Sequence, residues 1–409
     1  MWHAPATNSW RRVRCSLRER VSPLREADPI LIVGAGMAGA LTALRLGRAG
    51  YGVRIFDRHS HPRPTFRAEK LTQDQIEGLR ELGALEAFEQ ANWGAVATRQ
   101  SPDQLHDLSN CGARHEAWLD ALWNLWPSSV TFTPTAVDAI YPDRERPCVR
   151  LSTGETVFGR LVVVASGTWL GADSGLDLDY EIVSPRHSVC VGLSLAKSDD
   201  GPGEVVEAPP GSALSYVSFI PMDDELRLNI FTFDPDDAGF LPALKADPIK
   251  VLSHAMPNIA AKLHEAVVTR PFEIRIVDLK RMKSPAQDGV VVIGDAFATV
   301  CPASGTGMTK VIADVKALTE IYAPRWFATP GLGSDKIAQF YADPHKCAAD
   351  ALALKRSING RKSVLGETPY WRARRLVGRF KRGLELAAAQ WGRPAARPFG
   401  ISTRRGADT

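Results

Sequence analysis

The sequence predicts an α/β protein: a Rossmann-like nucleotide-binding domain, interrupted by a mainly antiparallel β-sheet domain and followed by a helical C-terminal region. Three observations predict this fold. Two glycine-rich segments stand far apart in the chain, at 34–39 and 294–307, and each follows a short apolar run typical of a buried parallel strand. Between them, residues 226–233 alternate apolar and polar side chains with the period of a half-buried strand. A single nucleotide bound by both glycine segments would explain why each of them follows a predicted buried strand.

The first glycine segment has the spacing of a dinucleotide-binding turn. Its predicted strand, 30–33, ends where the glycines begin, and a helix is predicted over 37–49. Such a turn needs Gly34 to bend the chain, Gly36 to let the backbone approach a pyrophosphate, and Gly39 to let the helix pack closely. Free N–H groups at the start of the helix favour phosphate. The residues predicted to bind the cofactor here are Gly34, Gly36, Met37, Ala38 and Gly39.

A carboxylate follows at the position expected for a ribose contact. The second predicted strand, 53–57, ends on Asp57, which would accept a hydrogen bond from a ribose 2′-OH. Because an acid at this position repels a 2′-phosphate, the pattern favours FAD or NAD over NADP. Arg58 and Arg67 are also predicted to contact the cofactor, whereas Lys70 fits a phosphate contact and a solvated helix end equally well.

The middle strand of the nucleotide-binding sheet is predicted at 161–164. Its wholly apolar sequence suits a buried strand beside the first one, and it leads to Ser166 and Gly167. Gly167 is therefore predicted to touch the cofactor. Upstream of this strand, residues 152–155 are predicted to form a hairpin turn within a β-rich stretch.

The second glycine segment repeats the order of strand and then glycine. A predicted strand at 289–293 leads to Gly294, and Asp295 stands at its carboxyl end, where ligands bind in open α/β sheets. The short side chain of Asp295 suits ribityl hydroxyls. A helix predicted over 308–322 would direct its N-terminal N–H groups at the N1 and O2 edge of an isoalloxazine. The predicted flavin contacts in this segment are Asp295, Pro302, Gly305, Gly307 and Met308.

The inserted sheet is predicted to roof a substrate pocket. On one predicted strand, a face would carry Arg227, Asn229 and Thr232 or their neighbours. Arg227, together with His187 and Tyr216, is a candidate for orienting a phenol or carboxylate, with the histidine or tyrosine as acid or base. The alternative is that all three are ordinary, hydrogen-bonded residues of the sheet.

Together these motifs resemble the FAD-dependent monooxygenases of the p-hydroxybenzoate hydroxylase-like superfamily. The resemblance covers 28–325 and rests on GAGMAG at 34–39, Asp57, Arg67 and GDAFATVCPASGTG at 294–307. It implies that FAD is bound with its ADP half on the first motif and its flavin along the second. It also implies reduction of FAD, capture of O₂ as a flavin C4a-hydroperoxide, and hydroxylation or epoxidation of an aromatic or other apolar small molecule.

Departures from the family pattern leave alternatives open. The middle motif of these enzymes commonly has an Asp-Gly pair linked to nicotinamide use, but this chain has Ser166 and Gly167 there. The electron source is therefore either NAD(P)H or a separate flavin reductase. Flavin-dependent halogenases resemble this scaffold too, yet their two signature tryptophans would fall on Tyr216 and Ser218. A halogenase, an FAD-dependent reductase or dehydrogenase, and a non-catalytic flavin-binding redox sensor remain alternatives.

Composition and charge restrict the class of protein. With 44% hydrophobic residues, a net charge of +4 and no apolar run long enough to span a membrane, the chain is expected to be a cytoplasmic globular enzyme without a nucleic-acid partner. Six scattered cysteines lack the spacing of zinc ligands, so a reducing compartment and no metal are predicted. The predicted parts are a flexible Arg-rich extension (1–27), an FAD-binding domain (28–170 and 283–325), a β-rich substrate domain (171–282) and a helical, basic C-terminal region (326–409).

The C-terminal region carries a run of arginines. Between 371 and 391, basic and apolar residues recur near helical spacing, which suits an amphipathic helix resting on an anionic membrane surface. Two glycines and a proline interrupt this segment and its continuation, and they favour a basic helix docked on the domain, or a loose tail, instead.

Overall fold

The fold is described from a computed structural model that covers most of the chain. The described residues are 28–65, 68–91, 112–168, 174–196, 204–209, 212, 214–222, 225–234, 239–270 and 272–377. The predicted extension at 1–27, Arg67, and the part of 371–391 beyond residue 377 lie outside them. Within the described residues, no helix combines the length and apolarity needed to cross a membrane.

The described residues form strands joined by helices in the predicted alternation. The strands are β1 (Ile30–Val33), β2 (Val53–Asp57), β3 (Ala68–Lys70), β4 (Gly112–Arg114), β5 (Val130–Pro134), β6 (Val137–Tyr141), β7 (Cys148–Leu151), β8 (Thr156–Phe158), β9 (Leu161–Val164), β10 (Tyr180–Ala196), β11 (Glu204–Glu207), β12 (Tyr216–Pro221), β13 (Glu225–Thr232), β14 (Glu273–Met282) and β15 (Val290–Val292). The α-helices are α1 (Met37–Arg48), α2 (Gln73–Glu81), α3 (Leu85–Ala91), α4 (His115–Asn124), α5 (Phe240–Ala246), α6 (Pro248–Ala255), α7 (Ala260–Leu263), α8 (Gly307–Lys316), α9 (Ala323–Phe327), α10 (Ser334–Tyr341) and α11 (Pro344–Leu365), and residues 369–377 are also helical.

A parallel sheet in the order β15-β9-β1-β2-β5 forms the centre of the nucleotide-binding part. Every residue of β1, β9 and β15 is buried, as expected for parallel strands covered on both faces. In register, Ile30 pairs with Val53 on one side and with Leu161 on the other, so the carboxyl ends of these strands meet at one edge. The three strands predicted at 30–33, 53–57 and 161–164 are confirmed.

The parallel sheet is covered by helices on one face and by a small sheet on the other. Ile32 and Val163 pack with Leu318 and Trp326 of the helical layer. The opposite face packs on the three-stranded sheet β6-β7-β8, which includes the predicted hairpin at 152–155 between β7 and β8. The helix predicted over 308–322 is confirmed as α8 and a following π-helical turn, Ala317–Tyr322.

A second, antiparallel sheet has the order β11-β12-β13-β10-β14, as predicted for the inserted segment. Leu228 and Ile230 of β13 lie on its apolar face, which packs on α5, α6 and α7. Arg227 and Asn229 alternate with them and lie on the other face. The prediction that Thr232 shares that polar face is wrong, because the strand alternation places it with Leu228 and Ile230.

The glycine turn brings the backbone of α1 against the end of β1. A Cβ atom built on Gly39 would lie 1.9 Å from the carbonyl oxygen of Gly34 and 3.3 Å from a methyl group of Ile32. A side chain at this position therefore forces the helix away from the strand.

Gly39→Ala is expected to lower the free energy of unfolding by about 1–3 kcal/mol, because this overpacking outweighs the better helix propensity of alanine. Urea unfolding of the FAD-free protein measures the change. Gly52→Ala is the matched control, since a Cβ atom at Gly52 meets no atom within 4 Å in the part of the chain that the structure describes. Equal stability of the two variants would contradict the close approach.

Candidate functional site

The carboxyl ends of β1, β2 and β9 lie next to one another at the first glycine turn. Gly34 has a φ of +100°, and a Cβ atom there would lie 2.6 Å from the carbonyl oxygen of Ala165. Its N–H donates to the carbonyl oxygen of Phe56 at 2.8 Å. Glycine is thus required here both by the backbone conformation and by the neighbouring strand.

Nothing in the described part of the chain requires a glycine at position 36. Its φ of −69° suits any residue, and a Cβ atom built on it would meet no atom of the described residues within 4 Å. The open space lies at the N-terminus of α1, whose free N–H groups bind phosphate well. Nearby, Gly167 is equally open, and the buried hydroxyl of Ser166 has no hydrogen-bond partner among the described residues. This cradle fits a pyrophosphate and its flanking groups, as FAD has.

Asp57 ends β2 and holds the glycine turn through its carboxylate. One oxygen accepts from the N–H of Ala35 at 2.9 Å, and the other accepts from the N–H of His59 at 3.0 Å. The carboxylate therefore lies beside the phosphate cradle, where the predicted ribose contact requires it, although that contact itself stays a prediction. Arg58 is exposed next to it, and Lys70 is half-buried on β3.

The second glycine segment meets the first in space. Gly294 follows β15 with a φ of +63°, and a Cβ atom built on it would lie 3.2 Å from the Cβ atom of Ala38. Asp295 is half-buried beside this contact, within the short helical turn Gly294–Ala296. The structure thus brings the two predicted halves of the cofactor site together, as binding of one dinucleotide requires.

Residues 301–307, here called the flavin loop, continue from this turn into α8. Pro302 begins a single 3₁₀ turn, Gly305 is left-handed with a φ of +65°, and Gly307 begins the helix that contains Met308. The amide of Gln75 donates to the carbonyl oxygen of Gly305 at 2.8 Å and so ties the loop to α2. Sequence reasoning missed Gln75, although its capping-box spacing from Thr72 was a usable signal.

The polar face of the second sheet contacts the flavin loop. The hydroxyl of Tyr216 donates to the carbonyl oxygen of Ala303 at 2.9 Å. The thiol of Cys301 donates to the Ser188 hydroxyl on β10 at 3.2 Å. Burial raises the pKa of both Tyr216 and Cys301 above their ordinary values, so both groups stay protonated near neutral pH.

Arg227 lies further along the same face as Tyr216. It is 5% exposed, and its guanidinium donates to the Ser194 hydroxyl at 2.6 Å. Burial lowers the pKa of Arg227, while the nearby carboxylates of Glu225 and Glu273 raise it, and the guanidinium remains charged. The adjacent Glu225 is also buried, with ion pairs to Arg114 at 2.8 Å and Arg270 at 3.0 Å.

His187 is placed apart from the Tyr216 and Arg227 side chains. It is fully buried between β10 and α11, with an edge-on contact to the ring of Phe233. Its Nδ1 atom lies 3.1 Å from the Ser184 hydroxyl, and its Nε2 atom lies 3.1 Å from the carbonyl oxygen of Ser357. Because a carbonyl only accepts, Nε2 carries the proton of a neutral ring. Both ring nitrogens are therefore used within the protein.

Four charged groups lie beneath the Gly294 turn, three of them buried and Asp350 partly exposed. Lys310, Asp314, Lys346 and Asp350 form a network in which each lysine pairs with both carboxylates within 3.7 Å. Burial by itself would raise the pKa of Asp314, but the ammonium groups of Lys310 and Lys346 outweigh it and lower that pKa. Sequence reasoning missed this network, although the four-residue spacing of Lys310 and Asp314, repeated by Lys346 and Asp350, was a signal.

Comparisons with known proteins agree with this geometry. Residues 28–118 match the FAD binding domain family and residues 243–354 match the squalene epoxidase family. The chain is 26% identical over 334 residues to kynurenine 3-monooxygenase of Salinispora arenicola, covering 72% of each protein. These similarities confirm the predicted resemblance of the chain to the FAD-dependent aromatic hydroxylases.

Solved structures of similar fold cover most of the chain. The p-nitrophenol 4-monooxygenase PnpA from Pseudomonas putida DLL-E4 has a TM-score of 0.64 at 16% identity, over 85% of this chain and 92% of PnpA. The flavin-dependent brominase Bmp2 has a TM-score of 0.62 at 16% identity, over 82% of this chain and 89% of Bmp2. At such identities the likeness shows the fold.

The flavoprotein is therefore an FAD-dependent oxidoreductase, and the predicted fold class and cofactor are confirmed. When bound, FAD supplies the electron transfer and the activation of O₂ that no side chain provides. The residues of this chain that would hold it are the glycine turn at Gly34–Gly39, the acids Asp57 and Asp295, and the flavin loop.

Gly36→Val separates cofactor binding from folding. The FAD-free variant is expected to lose no more than about 1 kcal/mol of unfolding free energy, because the new side chain enters open space at a helix N-cap. Its Kd for FAD is expected to rise about tenfold or more, because that space is where the pyrophosphate would lie. Fluorescence titration with FAD measures the Kd, with Gly52→Val as control. Wild-type affinity in Gly36→Val would contradict the assigned cradle.

Burial of His187 predicts a pH-dependent stability. Burial lowers its pKa from 6.5 to about 4, so between these values the unfolded chain binds a proton that the folded chain does not. Stability is therefore complete above pH 6.5 and falls as the pH drops towards 4. In His187→Gln, the decrease in unfolding free energy as the pH falls through this range is expected to be about 3 kcal/mol smaller than in the wild type. Urea unfolding at pH 7 and pH 4.5 tests it, with the exposed His254→Gln as control, and an unchanged pH dependence in His187→Gln would contradict it.

Proposed function

We propose that the protein is a monooxygenase that, with FAD bound, inserts one oxygen atom of O₂ into an aromatic or other apolar small molecule. The observation that carries this proposal is the hydrogen bond from Tyr216 on the second sheet to Ala303 in the flavin loop, at 2.9 Å. It sets the polar face of the sheet over the loop along which the flavin is predicted to lie. A substrate held by that face is then presented to the flavin.

The chemistry of this face suits an aromatic ring with polar substituents. The rings of Tyr216 and Phe231 lie 4.6 Å apart and are inclined by 34°. Ser218 and Asn229 are paired across β12 and β13 on the same face. Aromatic surfaces with a few neutral hydrogen-bonding groups are typical of small-molecule sites.

The far end of the face is positively charged. The guanidinium groups of Arg114, Arg227 and Arg270 surround the buried carboxylate of Glu225, and Glu273 also lies near Arg227, so three positive charges face two negative ones. Such an excess of guanidinium favours a phenolate or carboxylate. We therefore assign the orienting of an acidic substituent to Arg227 and the holding of the flavin loop to Tyr216, and we assign His187 a structural role.

Epoxidation of an apolar alkene is the second candidate. The match of residues 243–354 to the squalene epoxidase family favours it. Halogenation has less support, because Tyr216 and Ser218 stand on β12 where the halogenase signature has tryptophans. The likeness to a brominase concerns the fold.

The test follows labelled oxygen into the product. The FAD-loaded protein is supplied with ¹⁸O₂, bromide and one of three probes: an amino-substituted aromatic keto acid, a phenolic acid or a linear polyene. Each is run with NADH or NADPH alone and again with an added flavin reductase, and protein without FAD is the control. Mass spectrometry is expected to find one ¹⁸O atom in a product of an aromatic probe.

The outcomes separate the candidate functions. Labelled polyene would support epoxidation over ring hydroxylation. A brominated product, or an unlabelled product that has lost two hydrogens, would replace the monooxygenase with a halogenase or a dehydrogenase. A bound flavin that no donor reduces would favour a redox sensor. Turnover only with the added reductase would identify a separate electron-supplying partner.

A further inference from the structure

Helix α11 buries a polar face, contrary to the usual pattern. Lys346, Asp350, Ala353 and Ser357 recur at intervals of four, three and four residues, so they form one stripe of the helix. Lys346 and Ser357 are each 1% exposed, whereas Leu352 on the same helix is 40% exposed. A helix that only covers a core buries its apolar side chains. The buried stripe of α11 therefore serves specific polar contacts.

One end of the stripe holds the Gly294 turn. The ammonium group of Lys346 lies 2.7 Å from one oxygen of Asp314, whose other oxygen accepts from the N–H of Gly294 at 2.8 Å. Lys310 donates to the carbonyl oxygen of the same glycine at 2.8 Å. Both backbone groups of Gly294, next to Asp295, are thus held by charged side chains.

The other end of the stripe holds the start of the flavin loop. The hydroxyl of Ser357 accepts from the N–H of Cys301 at 3.2 Å and donates to the carbonyl oxygen of Ala353 at 2.8 Å. Cys301 is fully buried and directly precedes Pro302. The Ser357 side chain on α11 therefore holds the first backbone N–H of the flavin loop.

Stability alone does not account for the charges in this stripe. Burying an ion costs several kcal/mol, and a well-packed apolar set of similar volume is often at least as stable as a buried ion pair. An apolar set, however, gives no partner to the N–H of Gly294, which is buried away from water and donates to Asp314. The network is balanced, with two lysines and two aspartates, so it fixes the turn without adding net charge beneath the cofactor.

We propose that α11 is the positioning element of the FAD site, in which Lys346 acts through Asp314 on the Gly294 turn and Ser357 acts on the flavin loop. The two residues are eleven positions apart, which is about 16 Å along a helix. One rigid helix thus sets the spacing between the ribityl-binding segment and the flavin-binding segment. The proposal rests on FAD binding and not on the substrate or the oxygen chemistry.

Lys346→Met is the first test, with Lys355→Met on the exposed side of the same helix as matched control. The Kd for FAD is expected to rise about tenfold or more in Lys346→Met and to stay within about twofold in the control. In the FAD-free protein, hydrogen exchange followed by mass spectrometry is expected to show faster exchange in the peptide that contains Gly294. Far-UV circular dichroism checks that each variant is folded.

Ser357→Ala tests the other end, with Ser363→Ala as control. Ser363 donates to the carbonyl oxygen of Gly360 at 2.7 Å, so the control removes the same kind of bond within the helix. Ser357→Ala is expected to weaken FAD binding and to speed exchange in the peptide containing Cys301, while Ser363→Ala does neither. If Lys346→Met does not fold, the Asp350→Asn variant, which changes the partly exposed end of the network, takes its place in the first test.

Folded variants that bind FAD like their controls, or that keep wild-type hydrogen exchange at Gly294 and Cys301, overturn the proposal.

Discussion

The contact between the backbones of Gly34 and Gly39 is the constraint on which the rest of the structure depends. Only a hydrogen atom fits where a Cβ atom on Gly39 would lie 1.9 Å from the Gly34 carbonyl oxygen. With α1 seated this closely, the ends of β2 and β9 flank the turn, and Gly294 reaches the first turn of α1 at Ala38. Segments distant in the chain therefore converge on the edge of the parallel sheet at which ligands bind in open α/β folds.

Irregular backbone at this edge is held by polar side chains from other elements. The turns at this edge leave some of their own N–H and C=O groups without a backbone partner, so those groups must be paired from elsewhere. Asp57 supplies one for Ala35, Gln75 for Gly305, and Asp314 for Gly294. The site thus has an outer layer of hydrogen-bonding side chains whose own positions are set by the helices that carry them. If α11 positions the FAD site as proposed, cofactor binding depends on that layer as well as on the glycines.

The two faces of the second sheet differ in polarity and in the elements that they contact. Its apolar face is covered by α5, α6 and α7, and its polar face contacts the flavin loop through Tyr216 and Ser188. A period of two in the sequence predicts that two such faces exist, because successive side chains on a strand point in opposite directions. It does not say which face meets the cofactor domain, since that depends on how the sheet is placed over the loop. Arg227 and Tyr216 share the polar face, whereas His187 lies against α11.

The sequence by itself determined the parallel strands, the glycine turns, the cofactor class and the presence of the inserted sheet. Each of these follows from local rules: glycine spacing reflects steric limits within a few residues, and strand periodicity reflects the pleat. Only the tertiary structure decided which polar residues support the site. The ion pair between Lys346 and Asp314 joins residues 32 positions apart, and the contact between His187 and Ser357 joins residues 170 positions apart. Such pairings depend on how helices and sheets pack, and a lysine or serine on a helix has the same local pattern whether it faces solvent or a cofactor turn.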